Sequence, residues 1–313
     1  MNWQSALDPH SANARHLADL FWFFTALCAA IWLLVVAALL RAIRHPGLAG
    51  EQDPPERQLR KSRIVGALTA LTVLILVVFT AASFYTTRSF AWPDMNTLRI
   101  KVTGQQWWWQ VEYRNHDASQ VLTTANEIHI PVGRPVTLEL HATDVIHSFW
   151  VPDLMGKQDL IPGRTNYLTL QADHAGVYRG QCAEFCGLEH ARMAIWVFAQ
   201  EPSAFEAWRR HALMPNTMPD GGAAAKGAYI FVHRQCASCH AINGSDAAGQ
   251  TGPDLTHFGA RATIAAGTLH NTAANLDRWL ADPQAVKPGA NMPKVDLSAP
   301  DRAALVAFLE GLK

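Results

Sequence analysis

Two stretches of the chain are apolar all the way round. Leu20 to Leu40 and Ile64 to Tyr85 contain no formal charge. At about 1.5 Å per residue each spans roughly 32 Å, enough to cross a hydrocarbon core of about 30 Å. A buried core helix is the alternative for either run, but two in tandem at this length predict a membrane hairpin. The first run has no basic n-region and no small-residue cleavage site before its basic flank, so it does not read as a signal peptide. The connecting segment carries Arg41, Arg44, Arg57, Arg60, Lys61 and Arg63, whereas Arg15 precedes the first run and Arg88 follows the second. The positive-inside rule therefore places the connection in the cytoplasm, and the N-terminus and everything beyond Tyr85 outside.

Beyond Trp92-Pro93 the apolar period changes to two. Leu98, Ile100 and Val102 alternate with polar residues, as do Ile128, Ile130 and Val132, and Val136, Leu138 and Leu140. With turns such as Val132-Gly133-Arg134-Pro135, and further runs at Asn166 to Gln171 and Ala194 to Ala199, this predicts antiparallel strands of a sandwich or barrel. Glu201 to Ala212 reads as a short polar helix, and Met214 to Ala225, rich in Pro, Gly and Ala, as a linker. A helical run from Lys226 to Gln235 opens a last module. Ser298-Ala299-Pro300-Asp301 has the form of an N-cap for a C-terminal helix reaching about Leu312.

Composition adds bounds. At about 150 residues per domain, 313 residues suggest two globular units. The formal net charge is zero, which gives no reason to expect a nucleic-acid partner. Of the five cysteines, Cys28 lies in an apolar run and reads as a small buried hydrophobe. The other four sit in metal- or haem-type spacings.

The densest chemistry is Gly180 to Met193, GQCAEFCGLEHARM, spaced Cys182-x3-Cys186-x3-His190-x2-Met193. Thiolate, imidazole and thioether together form a donor set that copper favours over calcium or magnesium. Two thiolates on one short loop can bridge two metals. His147, in DVIHSFW at the close of a strand-like run, is the candidate remote ligand. A Cys182–Cys186 disulfide would leave His190 and Met193 unexplained, and a zinc knuckle rarely takes Met.

Cys236 to His240, CASCH, is the attachment signature of c-type haem. The two thiols bond the vinyl-derived carbons and the adjacent His240 ligates iron. Zinc would need more ligands than this, and there is no second Cys pair. For the sixth ligand the candidates are Met292, in Ala290-Asn291-Met292-Pro293, then Met214 and Met218 in the linker, and His257. Met292 is preferred, since it lies between two helical segments well downstream of His240. Met ligation raises the haem potential.

The segments DVIHSFWVP (Asp144 to Pro152), KQDLIPGRTN (Lys157 to Asn166) and GQCAEFCGLEHARM resemble subunit II of cytochrome c oxidase, with its binuclear CuA centre. The resemblance covers roughly residues 15 to 200. It implies a cupredoxin-like Greek-key sandwich whose metal loop joins two strands, with Met193 opening the last. It implies copper ligands at His147, Cys182, Cys186, His190 and Met193, and at the backbone carbonyl of Glu184. It also implies a magnesium contact for the Glu184 carboxylate, shared with the catalytic subunit, and places Lys157 and Asp159 in a polar cluster near that boundary. Ordinary surface charges are the alternative for Lys157 and Asp159. In GQQWWWQVEY, a strand would put Trp107 and Trp109 on one face and Trp108 on the other. Core packing and interfacial anchoring would account for the tryptophans, and the resemblance implies that Trp107 is the electron-entry residue. Cytochrome c-like domains place a Pro against the proximal side of the haem, which fits Gly252-Pro253. The acid that many relatives carry at the cytoplasmic start of the second helix is missing from Lys61 to Gly66, and Glu56 lies further back. No proton-uptake residue is assigned.

The expected architecture is a multidomain membrane protein. A helical transmembrane hairpin (1–92, spans about 20–40 and 64–85) is followed by an all-β copper domain (93–200), a short helix and linker (201–221) and an all-α c-type cytochrome domain (222–313). This order resembles the caa-type oxidases, where the electron donor is fused to the copper subunit. The implied role is an electron-entry subunit in a bacterial inner membrane. It would take electrons from an external one-electron donor and pass them by haem c and binuclear copper to catalytic subunit I of a proton-pumping oxidase. The linker would act as a flexible tether that raises effective concentration. Alternatives are an input subunit of a CuA-containing nitric oxide reductase, a quinol-oxidase subunit, and a free-standing membrane-anchored shuttle. The intact ligand set speaks against the quinol-oxidase subunit.

Overall fold

The computed structural model describes residues 4–45, 54–90, 97–114 and 121–313. The expected break at Trp92-Pro93 lies outside the described residues. Helix α1 (Ala12–Arg44) and helix α2 (Pro55–Phe90) contain the two apolar runs and extend past them at both ends. None of their apolar windows is buried by protein. A helix that is apolar on every side and uncovered requires lipid around it. The two pack through Phe24 against Phe79, ring centroids 3.9 Å apart. Thr25, Thr72, Thr80 and Thr87 return their hydroxyls to the carbonyl one turn back, which satisfies them without water. Arg41 and Arg44 suit the C-terminal dipole of α1, but Arg57, Arg60, Lys61 and Arg63 oppose the N-terminal dipole of α2. Helix stability thus accounts for the basic charge at the end of α1 but not for that at the start of α2.

The sandwich is built from β1 (Leu98–Gln105), β2 (Trp108–Arg114), β3 (Leu122–Ala125), β4 (Glu127–Pro131), β5 (Val136–Ala142), β6 (His147–Trp150), β7 (Gln158–Leu160), β8 (Asn166–Leu170), β9 (Gly176–Cys182) and β10 (Ala194–Gln200). One sheet has the order β3-β2-β1-β5-β8 and the other β4-β10-β9-β6-β7. The expected Greek-key sandwich is present, but not every neighbouring pair is antiparallel: β1 runs parallel to β5, and β4 parallel to β10. The reason is Asn126, in a left-handed conformation at φ 62°, which carries the chain from one sheet to the other between β3 and β4. Its side-chain oxygen accepts from the Trp109 amide at 2.9 Å and its carbonyl from the Trp196 amide at 3.0 Å, one in each sheet. Between the sheets Ile100, Trp109, Leu138, Leu140, Phe149 and Ile195 are fully buried. The alternating runs of the sequence supply this core, since every second side chain of a strand faces inward.

Ahead of α1, the chain is stitched to this sandwich. The Ser5 amide donates to Asp153 Oδ1 at 2.7 Å, the His10 amide to the Asp153 carbonyl at 2.7 Å, and the Asp173 amide to the His10 carbonyl at 2.9 Å.

Helix α3 (Pro202–Ala212) buries Phe205 and Ala212, and its Trp208 stacks on His129 at 4.0 Å. The linker is shorter than expected. Helix α4 (Gly222–His233) starts at Gly222 and absorbs Ala223 to Ala225, because alanine is the best helix former and a run of three extends a helix more readily than a loop. What remains is pinned: the Asn216 amide donates to the Asn243 carbonyl at 2.9 Å, and Met218 packs against the C-terminal core. The expectation of a flexible tether is therefore corrected.

That core joins α4, α5 (Cys236–Cys239), α6 (Ala273–Ala281) and, beyond the short α7 (Pro283–Val286), α8 (Ala299–Gly311) around Phe231, Leu276, Leu305 and Phe308. Ser298 caps α8 by accepting from the Asp301 amide, as its sequence predicts. Where α4 meets α8, Gly227 lies so close that a Cβ would stand 2.1 Å from the Ala304 carbonyl oxygen.

Gly227→Ala should consequently destabilise the fold, although alanine is favoured in a helix by about 1 kcal/mol. Overpacking against backbone costs ~1–3 kcal/mol, which at so close an approach leaves a net loss of up to about 2 kcal/mol. A circular-dichroism melt of the variant checks this, and a midpoint at or above wild type would contradict the close crossing.

Candidate functional site

Cys182 is the last residue of β9, where it pairs with Phe149 of β6. The chain then loops to a short 3-10 turn, His190–Arg192, and β10 starts one residue after Met193. The loop is closed by the Cys182 amide on the Met193 carbonyl at 2.9 Å and the Ala183 amide on the Ser148 carbonyl at 2.9 Å. These bonds put donors together: Cys182 Sγ to Cys186 Sγ 3.8 Å, Cys182 Sγ to His147 Nδ1 3.9 Å, Cys186 Sγ to His190 Nδ1 3.6 Å and Cys186 Sγ to Met193 Sδ 3.9 Å. The Glu184 carbonyl lies 3.2 Å from Cys182 Sγ. All five side chains singled out in the sequence thus converge, and the Glu184 carbonyl with them. At 3.8 Å the sulfurs are not bonded to each other, and both are buried. A disulfide would need them at about 2.05 Å, so the pair fits thiolates that would hold metal rather than a disulfide.

His147 opens β6 and does not close a strand as expected, because Asp144 turns the chain ahead of it by accepting from the Val145 amide at 2.7 Å. The same carboxylate takes His147 Nε2 at 2.9 Å. A carboxylate can only accept here, so the proton sits on Nε2 and Nδ1 faces the sulfurs, the arrangement in which an outer carboxylate orients a metal-binding imidazole. Gly104 leaves room for the ring: a Cβ there would come 2.8 Å from His147 Cδ2.

The donors of the pocket shift one another's acidity. The Cys186 contact, helped by His147, holds Cys182 down to about 3 against the effect of burial, while the same contact and burial push Cys186 up. Burial alone would lower His147, but Cys182 and Asp144 outweigh it and raise it. A metal entering this site displaces protons from ligands already placed.

The tryptophan run is not one strand. Gln106 and Trp107 form the tip of the β1–β2 hairpin, so Trp107 does not share a face with Trp109 by strand alternation. A two-residue turn takes the tip out of the pleat. Trp109 is fully buried, while the Trp107 indole reaches across and donates Nε1–H to the Cys186 carbonyl at 2.9 Å. Gln106 Nε2 donates to the same carbonyl at 2.7 Å, and the Gln106 amide to Asp144 Oδ2 at 2.7 Å.

The family described as cytochrome c oxidase subunit II, periplasmic domain, matches residues 98–200, and the cytochrome c family matches residues 224–313. A cytochrome c oxidase subunit 2 from Alkalihalophilus pseudofirmus is 36% identical over 99% of this chain and 91% of its own length. The chain belongs to the cytochrome c oxidase subunit II family. A second subunit 2, from Bacillus sp. PS3, is 31% identical over 84% of this chain and 78% of its own length. The crystal structure of the periplasmic domain of subunit II from Bradyrhizobium japonicum is 32% identical, covering 38% of this chain and 95% of that chain with a TM-score of 0.36. As a family member the chain is membrane-anchored, works in a cytochrome c oxidase together with other oxidase subunits, and has the electron-entry role. Its two matched domains imply copper and haem.

The haem-type motif fits that implication in this subunit II. Cys236 to Cys239 form one helical turn, with His240 immediately after it. His240 Nδ1 donates to the Pro253 carbonyl at 2.7 Å, which leaves Nε2 as the free lone pair. Gly252 lies flat against the imidazole, where a Cβ would be 2.6 Å from Cε1. Burial keeps His240 below the usual histidine range, and so in the neutral form that ligates iron. Among the other candidates, Met292 and Met218 both pack against this module's core, Met214 is exposed, and His257 is bound by both ring nitrogens, to the Lys313 and Ala212 carbonyls at 3.2 Å.

Near the copper loop, Lys157 Nζ lies 3.4 Å from both Asp159 Oδ1 and Glu184 Oε2, so the three polar residues noted in the sequence do cluster. Sequence reasoning missed Asp144, Gly104 and Gln106. Asp144 stands three residues before His147, and that spacing was the available signal. Gly104 and Gln106 have none, because their roles depend on contacts made across the sandwich.

Asp144→Asn should leave the fold and the haem content intact but weaken copper binding by about 10–100-fold, the usual cost of losing an orienting carboxylate. Copper retention against a graded chelator measures it, and wild-type retention would remove Asp144 from this role.

Proposed function

We propose that the chain takes one electron at a time from a donor outside the membrane at its C-terminal module. It then delivers that electron through its copper loop to catalytic subunit I of a proton-pumping oxidase. In this reading Cys182, Cys186, His147, His190, Met193 and the Glu184 carbonyl would together hold the binuclear copper. Cys236, Cys239, His240 and Met292 hold one haem c. When bound, the copper pair and the haem supply reversible one-electron storage. The residues do the rest. Asp144 holds the His147 ring, the sandwich core keeps water from the sulfurs, and Trp107 offers an aromatic route into the loop through its bond to the Cys186 carbonyl. Glu184 turns its carbonyl toward Cys182, while its carboxylate, beside Lys157, would face a magnesium ion shared with the catalytic subunit.

The boundaries 1–92, 93–200, 201–221 and 222–313 belong to this reading. So does a bacterial inner membrane with the N-terminus and both globular modules outside. The bonds from Ser5 and His10 to Asp153 support a common side for the N-terminal segment and the sandwich. The observation that carries the proposal is the placement of two unbonded, buried sulfurs 3.8 Å apart in a loop that Trp107 touches directly.

Full-length chain purified in detergent should contain two coppers and one covalent haem, with an electron paramagnetic resonance signal of one electron shared by two coppers. Cys182→Ser should lose that signal and keep the haem spectrum. A single copper, or zinc, in the wild type would end this account.

A further inference from the structure

Lys287 follows α7 in the C-terminal module and is only 3% exposed. Its ammonium donates to the Trp107 carbonyl at 2.7 Å, to the Arg192 carbonyl at 2.8 Å and toward the Ala265 carbonyl at 3.4 Å. Three protons thus face three acceptors from three different segments. The first is the hairpin tip whose indole binds the Cys186 carbonyl, and the second directly precedes Met193. The third lies in a turn with φ 53° and 55° at Ala265 and Ala266, whose next carbonyl accepts the Ala194 amide at 3.0 Å. Gly267 completes the turn and leaves room for Ala194, since a Cβ there would stand 2.8 Å from the Ala194 Cβ.

Two more contacts flank this one. Glu127 of β4, 4% exposed, accepts the Ala262 amide at 2.8 Å and the Thr263 amide at 3.3 Å, with the Arg261 charge acting favourably on it. Asn291, next to Met292, donates to the Gln106 carbonyl at 2.8 Å.

Surfaces that meet only in passing keep their charges hydrated. A buried ammonium that finds two of its three acceptors on the sandwich, and a buried carboxylate satisfied by amides of the C-terminal module, would lose those partners on separation unless water reached them. We propose that Lys287 is a positioning residue that locks the C-terminal module onto the copper loop and Trp107, so that electrons cross a fixed junction and not a mobile tether. This rests on the functional reading above and adds the geometry in which it operates.

The test uses the purified oxidase complex, wild type and Lys287→Met. Hydrogen exchange should show the Ala194, Ala262 and Thr263 amides protected in the wild type. In the variant they should exchange roughly tenfold faster, the effect of about 1.4 kcal/mol of lost docking free energy. Flash-induced haem-to-copper electron transfer should be independent of added glycerol and of salt in the wild type. In the variant it should be slower by about tenfold and viscosity-dependent, while the haem spectrum and the copper resonance stay unchanged. If Lys287→Met does not accumulate, the wild-type viscosity series decides alone. A wild-type rate that falls with viscosity, or a variant matching wild type in both exchange and rate, overturns the lock. Protected amides with no electron transfer in fully loaded wild type would support the lock and overturn the functional reading instead.

Discussion

Two buried sulfurs keep a fixed spacing of 3.8 Å because the backbone that carries them is held from outside. Here the restraint on Cys186 is its own carbonyl, which receives the Trp107 indole and the Gln106 amide group. Cys182 is held by the strand pairing of β9 with β6 and by the Met193 carbonyl. The hairpin tip is fixed in turn by Asp144, which also orients His147. One carboxylate thus ties the aromatic contact and the remote imidazole into the same rigid frame. Pre-placed donors of this kind spare a metal the ordering of its own site.

The sequence made the donors legible because their identities and spacings are chemical facts. Cys182, Cys186, His190 and Met193 lie within one loop, and Cys236, Cys239 and His240 within one helical turn. Alternating runs such as Ile100/Val102 and Leu138/Leu140 gave the strands, since burial on one face enforces period two. What could not be read depends on contacts distant along the chain. The parallel pairing of β1 with β5 follows from the sheet switch at Asn126. Trp107 looked like part of a strand because a two-residue turn composed of Gln and Trp carries no Gly, Asn or Asp signal. Lys287 carries no signal in the sequence, for nothing near it announces three carbonyl partners.

The linker shows how composition misleads. Pro, Gly and Ala suggest a flexible leash, yet the alanines are helical, and the rest is pinned by Asn216 and Met218. The region between the sandwich and the C-terminal module is thereby shaped by buried polar contacts as well as by covalent continuity. The tryptophans are also divided by position, Trp109 serving the core and Trp107 the loop.

The stitching of Ser5 and His10 to the sandwich has a consequence for anyone who cuts the chain. Asp153 is 8% exposed, and the Ser5 amide binds its carboxylate. A fragment starting after α2 would strip that carboxylate and the Asp173 amide of their N-terminal partners. The piece that is simplest to express is therefore a perturbed version of the sandwich, and its stability understates that of the intact protein.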